Sequence, residues 1–308
     1  MNIKEHNDGS KVKMPRGEPS STPGGRQPAS SNNKCLIICT NAAFISPHQQ
    51  HESGEQEQAC RECQTRGSSN NNQNTSSGPQ RTYRFTGVDV YEVACLWQTL
   101  SKNYEIDFCS PEGGPVAADP HSLEMTEQDE QVRRAMRADR AQLINLLGHT
   151  YPIKWVRPEE YECCIVTGSH GAMLDLPECK QVTRCITEIY ENGGLVGTIG
   201  HGAAALINCK SSQSQQSEEE DFLVKGKRMC CFSEREEHEA RFAEAVPYSL
   251  ERRLRDRGAR LENQKPFESQ VVEDGRLLTA QNARSAQEFA ERLQKCLSKQ
   301  KQSGGKQQ

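Results

Sequence analysis

The sequence predicts an α/β chain whose mostly parallel sheet is covered by helices on both faces. Three observations carry that expectation. Short, continuous apolar runs such as Lys34-Cys-Leu-Ile-Ile-Cys-Thr40 and Leu195-Val-Gly-Thr-Ile199 have the pattern of strands buried on both sides. Amphipathic helical stretches alternate with them, which favours crossover connections and parallel pairing. The glycine-flanked turns at Gly168 and Gly200 both follow such runs, at the sheet edge where ligands of open α/β sheets bind.

The chain has 308 residues, of which 34% are hydrophobic and 6% aromatic, a low share for a fully globular chain of this length. The deficit is local. Residues 1–33 and 298–308 read as disordered tails, and 46–80 and 210–221 as disordered inserts, because such polar stretches cannot bury enough apolar surface to fold. The span 34–297 is left as one domain.

A net charge of −4 gives no global pull towards nucleic acid or anionic membranes. No run approaches the length a membrane span requires, and the polar N-terminus lacks the apolar core of a secretory signal. The 14 cysteines are therefore expected as free thiols in a reducing cytoplasm, many packed as small hydrophobes. Cys60-Arg-Glu-Cys63 has the spacing of half a zinc site, but no second Cys or His pair lies nearby. Neither a metal nor a cofactor is expected.

Along the chain, the Lys34–Thr40 strand opens the domain. Val90, Val93, Ala94, Trp97 and Leu100 put one apolar face on a helix from Asp89 to Leu100. Tyr104–Cys109 alternates like a strand and ends in Ser110-Pro-Glu-Gly-Gly114. Thr126–Leu147 reads as one helix, acidic at its start in accord with the helix dipole. Tyr161–Val166 is a strand, Leu176–Glu191 a helix capped by Asn192-Gly-Gly194, and Ala203–Ile207 a helix start after the Leu195–Ile199 strand. Lys227–Phe232 reads as a strand and Glu236–Arg257 as one long helix. Two strands, Ser269–Glu273 and Leu277–Thr279, join through the Asp274-Gly275 turn, and Ser285–Cys296 closes the domain as a helix.

Four segments taken in order, Ser110-Pro-Glu-Gly-Gly114, Gly168-Ser-His-Gly-Ala-Met-Leu-Asp-Leu-Pro177, Gly200-His-Gly-Ala-Ala-Ala-Leu206 and Leu278-Thr-Ala-Gln-Asn-Ala-Arg-Ser-Ala286, resemble the ThiJ/PfpI superfamily. This is the class I glutamine amidotransferase-like fold that includes the heat-shock glyoxalases. The resemblance implies a flavodoxin-like three-layer sandwich. In catalytic members the strand before the sharp elbow ends in Cys-His-Gly. Here that segment is Gly200-His-Gly202, so the nucleophile position falls on Gly200. The matching remnant site is Glu92, Gly200, His201 and an acid at Glu234, with Glu236 and Glu237 as neighbouring candidates. The loop Gly168, Ser169, His170, Gly171 corresponds to the binding loop whose amides face an oxyanion.

Glycine has no side chain, so covalent catalysis through position 200 is impossible. It also tolerates a strained elbow conformation at little cost. The Gly-His-Gly-x-Ala-Ala-Leu elbow and Gln281-Asn282 are further similar to the animal glutamine amidotransferase-like domain-containing subgroup. That likeness implies a homo-oligomeric subunit of an endosomal assembly that serves a Rab-type GTPase and carries messenger RNA. The expected function is accordingly a non-catalytic subunit or scaffold, a pseudoenzyme, in the cytoplasm and on endosomes with protein partners. His170 and His201 are then inherited loop residues. The alternative is glyoxalase-like, deglycase-like or hydrolase activity without a cysteine nucleophile, using Glu92 and His201; a chaperone-like role is the third reading. The basic run Glu251-Arg-Arg-Leu-Arg-Asp-Arg257 reads as a solvated helix face, with RNA contact at most weak or indirect.

Overall fold

The computed structural model describes residues 33–46, 84–211 and 221–304. The N-terminal tail, most of both inserts, Cys60, Cys63 and the last residues of the chain lie outside them. The elements in order are β1 (Lys34–Ile38), β2 (Phe44–Ile45), β3 (Arg84–Phe85), α1 (Val90–Leu100), β4 (Glu105–Ser110), α2 (Pro120–Gln128), α3 (Glu130–Gly148), β5 (Tyr151–Pro152) and β6 (Cys163–Val166). There follow α4 (Ala172–Asp175), α5 (Lys180–Glu191), β7 (Leu195–Ile199), a 3-10 helix (Gly200–Leu206), β8 (Arg228–Met229), α6 (Glu234–Glu239) and α7 (Leu250–Asp256). The last elements are β9 (Arg260–Leu261), β10 (Val271–Asp274), β11 (Leu277–Ala280) and α8 (Ala286–Gly304).

Seven strands form the central sheet in the order β10-β11-β7-β6-β1-β4-β5. All neighbours are parallel except the edge hairpin β10–β11. The predicted mostly parallel α/β sandwich is the fold observed. Successive strand residues point to opposite faces, so Cys163 and Ile165 join the core under α1 and α8. Cys164 and Val166 join the core under α5 and the 3-10 helix. The twelve cysteines among the described residues are free, and all but Cys179 are buried. No helix of the described residues is long and apolar enough to cross a membrane.

Two predicted helices are each two helices. Thr126–Leu147 breaks at Asp129, whose extended backbone leaves the helix while its Oδ1 accepts from Gln131 N and Val132 N. The preceding α2 starts at Pro120 because Asp119 caps it, accepting from His121 N and Ser122 N. Glu236–Arg257 is interrupted between α6 and α7, where Arg241 sits at φ 60 and Pro247 supplies no backbone donor. Ser249 then restarts the helix, accepting from Arg252 N. Within α7 and just after it three of the four arginines of the basic run meet intramolecular partners: Arg255 pairs with Glu251, Arg253 lies over the Tyr248 ring and Arg257 over Phe222.

Candidate functional site

The site sits at the carboxyl ends of β6 and β7, beside the start of α1. Asp89 caps α1 by accepting from Glu92 N at 2.9 Å. The cap aims Glu92 inward, where its Oε2 accepts from Gly168 N at 2.6 Å. The first turn of α1 is thereby tied to the loop after β6, and Asp89 N donates back to Gly168 O. A β-carbon at Gly168 would stand 2.5 Å from Ile199 O and 2.9 Å from His201 N, so glycine is what lets the two turns touch.

Ser169 takes φ 139, a rare value for a residue with a side chain. Its Oγ donates to Asp119 Oδ2 at 2.6 Å and shares a 2.7 Å hydrogen bond with Thr86 Oγ1, which holds the turn. Thr86 in turn accepts from Gly171 N at 3.0 Å. Two amides of the predicted binding loop, Gly168 and Gly171, are thus occupied by Glu92 and Thr86. Sequence reasoning did not reach Thr86 or Asp119; the Asp119-Pro120 pair signals only a helix start.

The elbow residue Gly200 is buried at φ 53. The heavy atom nearest to a β-carbon built there is Glu92 Oε1, at 3.6 Å. Burial pushes the Glu92 carboxyl well above the ordinary carboxylate range, and the neighbouring charge of Asp89 adds to this. Burial likewise raises Asp89 to about 7, against the hydrogen bond from Glu92 N.

His201 Nε2 lies 2.6 Å from Glu237 Oε1, and His170 Nε2 lies 3.1 Å from Glu237 Oε2. Of the candidate acids Glu234, Glu236 and Glu237, Glu237 is the one that meets both imidazoles. Glu234 is exposed at the first turn of α6, bonded to Ser249 Oγ and through its amide to Glu251. The capping box explains the choice: Ser233 accepts from Glu236 N while Glu236 reaches back to Ser233 N, which fixes α6 so that Glu237 faces inward. The Ser-x-x-Glu spacing at 233–236 was the available signal. Burial works to raise the Glu237 carboxyl, but the two imidazoles outweigh it and hold it down at about 2. Burial and the neighbouring His201 lower His170.

Aromatic rings wall the imidazoles. Phe232 stacks on His201 with centroids 4.3 Å apart, Phe242 stacks on His170 at 4.1 Å, and the two imidazoles lie 4.2 Å apart. Arg84 covers Phe242 from outside and donates to Arg241 O at 2.8 Å. One ligand atom from each of His170, His201 and Glu237 can be chosen so that all three lie within 4.8 Å of one another. The arrangement offers a buried proton carrier in Glu92 and an imidazole pair held by a carboxylate.

No family model matches the chain. It is 35% identical over 136 residues to a probable glutathione-independent glyoxalase of Schizosaccharomyces pombe, covering 42% of this chain and 51% of that relative. The match with a glutathione-independent glyoxalase of Saccharomyces cerevisiae is 27% identical, over 67% of this chain and 87% of the relative. Among solved structures, the 24 kDa rapid encystment protein of Francisella tularensis superposes with a TM-score of 0.67 at 27% identity, covering 86% of this chain and 98% of that one. These similarities support the resemblance to the ThiJ/PfpI superfamily that the four sequence segments carry.

These comparisons overturn the expected non-catalytic scaffold, and with it the pseudoenzyme label and the endosomal messenger-RNA assembly. The relatives carry the names of glyoxalase enzymes, which favours the alternative of activity without a cysteine nucleophile. The expectation gave too much weight to Gly200. Its missing side chain removes one covalent route and leaves the carboxylate and imidazole groups in place.

Proposed function

We propose that the chain converts a 2-oxoaldehyde into the corresponding 2-hydroxycarboxylate without a cysteine nucleophile. The observation that carries this reading is the buried Glu92, which faces the side-chain space absent at Gly200. Water takes the part of the thiol. A 2-oxoaldehyde adds water to become a gem-diol, R-CO-CH(OH)2, and the site binds that form. Glu92 removes the proton from C1, giving the enediolate R-C(O−)=C(OH)2. It returns a proton to C2 while a C1 hydroxyl proton passes to the C2 oxygen, giving R-CHOH-COOH, so one water is consumed and no redox partner is needed. A buried carboxyl whose pKa lies well above the ordinary carboxylate range suits a group that must both take and give a proton. His201 is held beside the elbow through its Nε2 contact with Glu237.

Two subordinate readings accompany it. The buried free thiols support a reducing, cytoplasmic setting. The superfamily resemblance supports self-association into a homo-oligomer.

The test is methylglyoxal turnover in heavy water. Lactate should form with solvent deuterium at C2, persist after thiol alkylation, and fall about 100- to 10,000-fold in Glu92→Gln, the range for a lost general base. Lactate without solvent deuterium, or activity abolished by alkylation, would overturn the assignment of Glu92.

A further inference from the structure

We infer that His170, His201 and Glu237 form a binding site for a divalent transition-metal ion of zinc's class, with both imidazole Nε2 atoms and a Glu237 oxygen as ligands. The three residues come from three elements: the turn after β6, the elbow after β7, and α6. Their ligand atoms converge within 4.8 Å, and each Nε2 already meets its own oxygen of Glu237, at 3.1 and 2.6 Å. Bonds of about 2.0–2.1 Å to a tetrahedral ion separate ligand atoms by roughly 3.3 Å. Side-chain shifts of an ångström or less therefore seat the ion.

The donor set selects the ion. Two imidazole nitrogens with one carboxylate suit zinc or ferrous iron, whereas calcium and magnesium take oxygen ligands. Three protein ligands leave a fourth position for water or substrate, as in catalytic zinc sites. Charge points the same way. The ion-pair partners of Glu237 among the described residues are these two histidines, so its carboxylate is the anionic ligand of the set.

The surroundings are built to hold the ligands still. Phe232 and Phe242 clamp the two rings by stacking. The helix carrying Glu237 is fixed one residue earlier by Glu236, which accepts from Phe267 N, Gln281 Nε2 and Asn282 Nδ2. Such outer contacts orient metal ligands. Coordination through Nε2 also leaves the His201 proton on Nδ1.

The experiment is a Co2+ titration of chelator-stripped full-length protein, followed by displacement with Zn2+. One ion per chain should bind, with visible d–d bands and without thiolate charge transfer. His170→Ala should weaken binding by about 100-fold or more while near-ultraviolet circular dichroism stays unchanged. The Cys60→Ser/Cys63→Ser double variant should bind as the parent does. Absence of binding, or binding that survives His170→Ala and is lost in the double cysteine variant, overturns the site. The titration reads the metal directly, so its result stands whether or not lactate forms.

Discussion

Glu92 and Gly200 face each other where the first turn of α1 meets the end of β7, with Glu92 Oε1 3.6 Å from the point where a β-carbon on Gly200 would stand. The separation is an ordinary van der Waals contact. A small side chain at position 200 thus fits the space, and the obstacle to one is the backbone angle.

Gly200→Cys should accordingly fold and lose stability. Its φ of 53 costs a residue with a β-carbon on the order of 1–3 kcal/mol. Urea denaturation measures that loss. The new thiol stands at a helix start beside His201, a setting that lowers a thiol pKa. Mass spectrometry should find it alkylated by iodoacetamide ahead of the buried native cysteines, several of which burial raises to about 12. Unchanged stability would show that the elbow carries no strain.

Glu236→Ala should be among the most damaging single changes in the domain. The fully buried carboxylate accepts from Ser233 N, Ser233 Oγ, Phe267 N, Gln281 Nε2 and Asn282 Nδ2, all neutral donors. Removing it orphans these donors and releases Phe267, held at φ 59. The expected loss is about 3 kcal/mol or more, read from the urea midpoint at constant m. A loss below about 1 kcal/mol, the scale of an ordinary mutation, would mean that water replaces the carboxylate freely.

The pH dependence of stability should separate Asp89→Asn from the parent. The Asp89 carboxyl stands at about 7 in the fold against an ordinary 3.8, so the folded state holds its proton more tightly. Its contribution is fully present below the ordinary value and is lost as pH rises through about 7. Asparagine caps a helix as well as aspartate and carries no charge. Between pH 4 and 8 the parent's melting temperature should fall relative to the variant's. Parallel curves would mean that the carboxyl titrates normally.

Much of the frame was readable from residue patterns. Leu195–Ile199 is observed with its predicted ends, and every residue of this largely apolar run is buried, as in a sheet covered on both sides. The apolar face of α1 was legible for a similarly local reason. What periodicity could not supply was where a charged helix stops. From Glu236 to Arg257 the polar residues fit a helix everywhere, and the break rests on Arg241 and Pro247. Glu92, Gly200 and His201, singled out from the sequence, lie close together in the fold, but no pattern picks out the acid that meets His201. Glu234 and Glu237 stand one helical turn apart, and the cap formed by Ser233 and Glu236 decides which of them turns inward. Thr86 and Asp119 reach Ser169 from distant parts of the chain, a relation that only the folded topology creates.

The placement of β1 has a consequence for how the molecule is made. This first strand lies between β4 and β6, so Leu36 finds its neighbours Asp107 and Cys164 far along the chain. Loops of that size close before their contacts repay the entropy, which makes assembly slow. During that search the thiols that the finished sheet hides, Cys35, Cys163 and Cys164 among them, are open to oxidants. An early oxidative crosslink among them would trap the chain before its sheet exists.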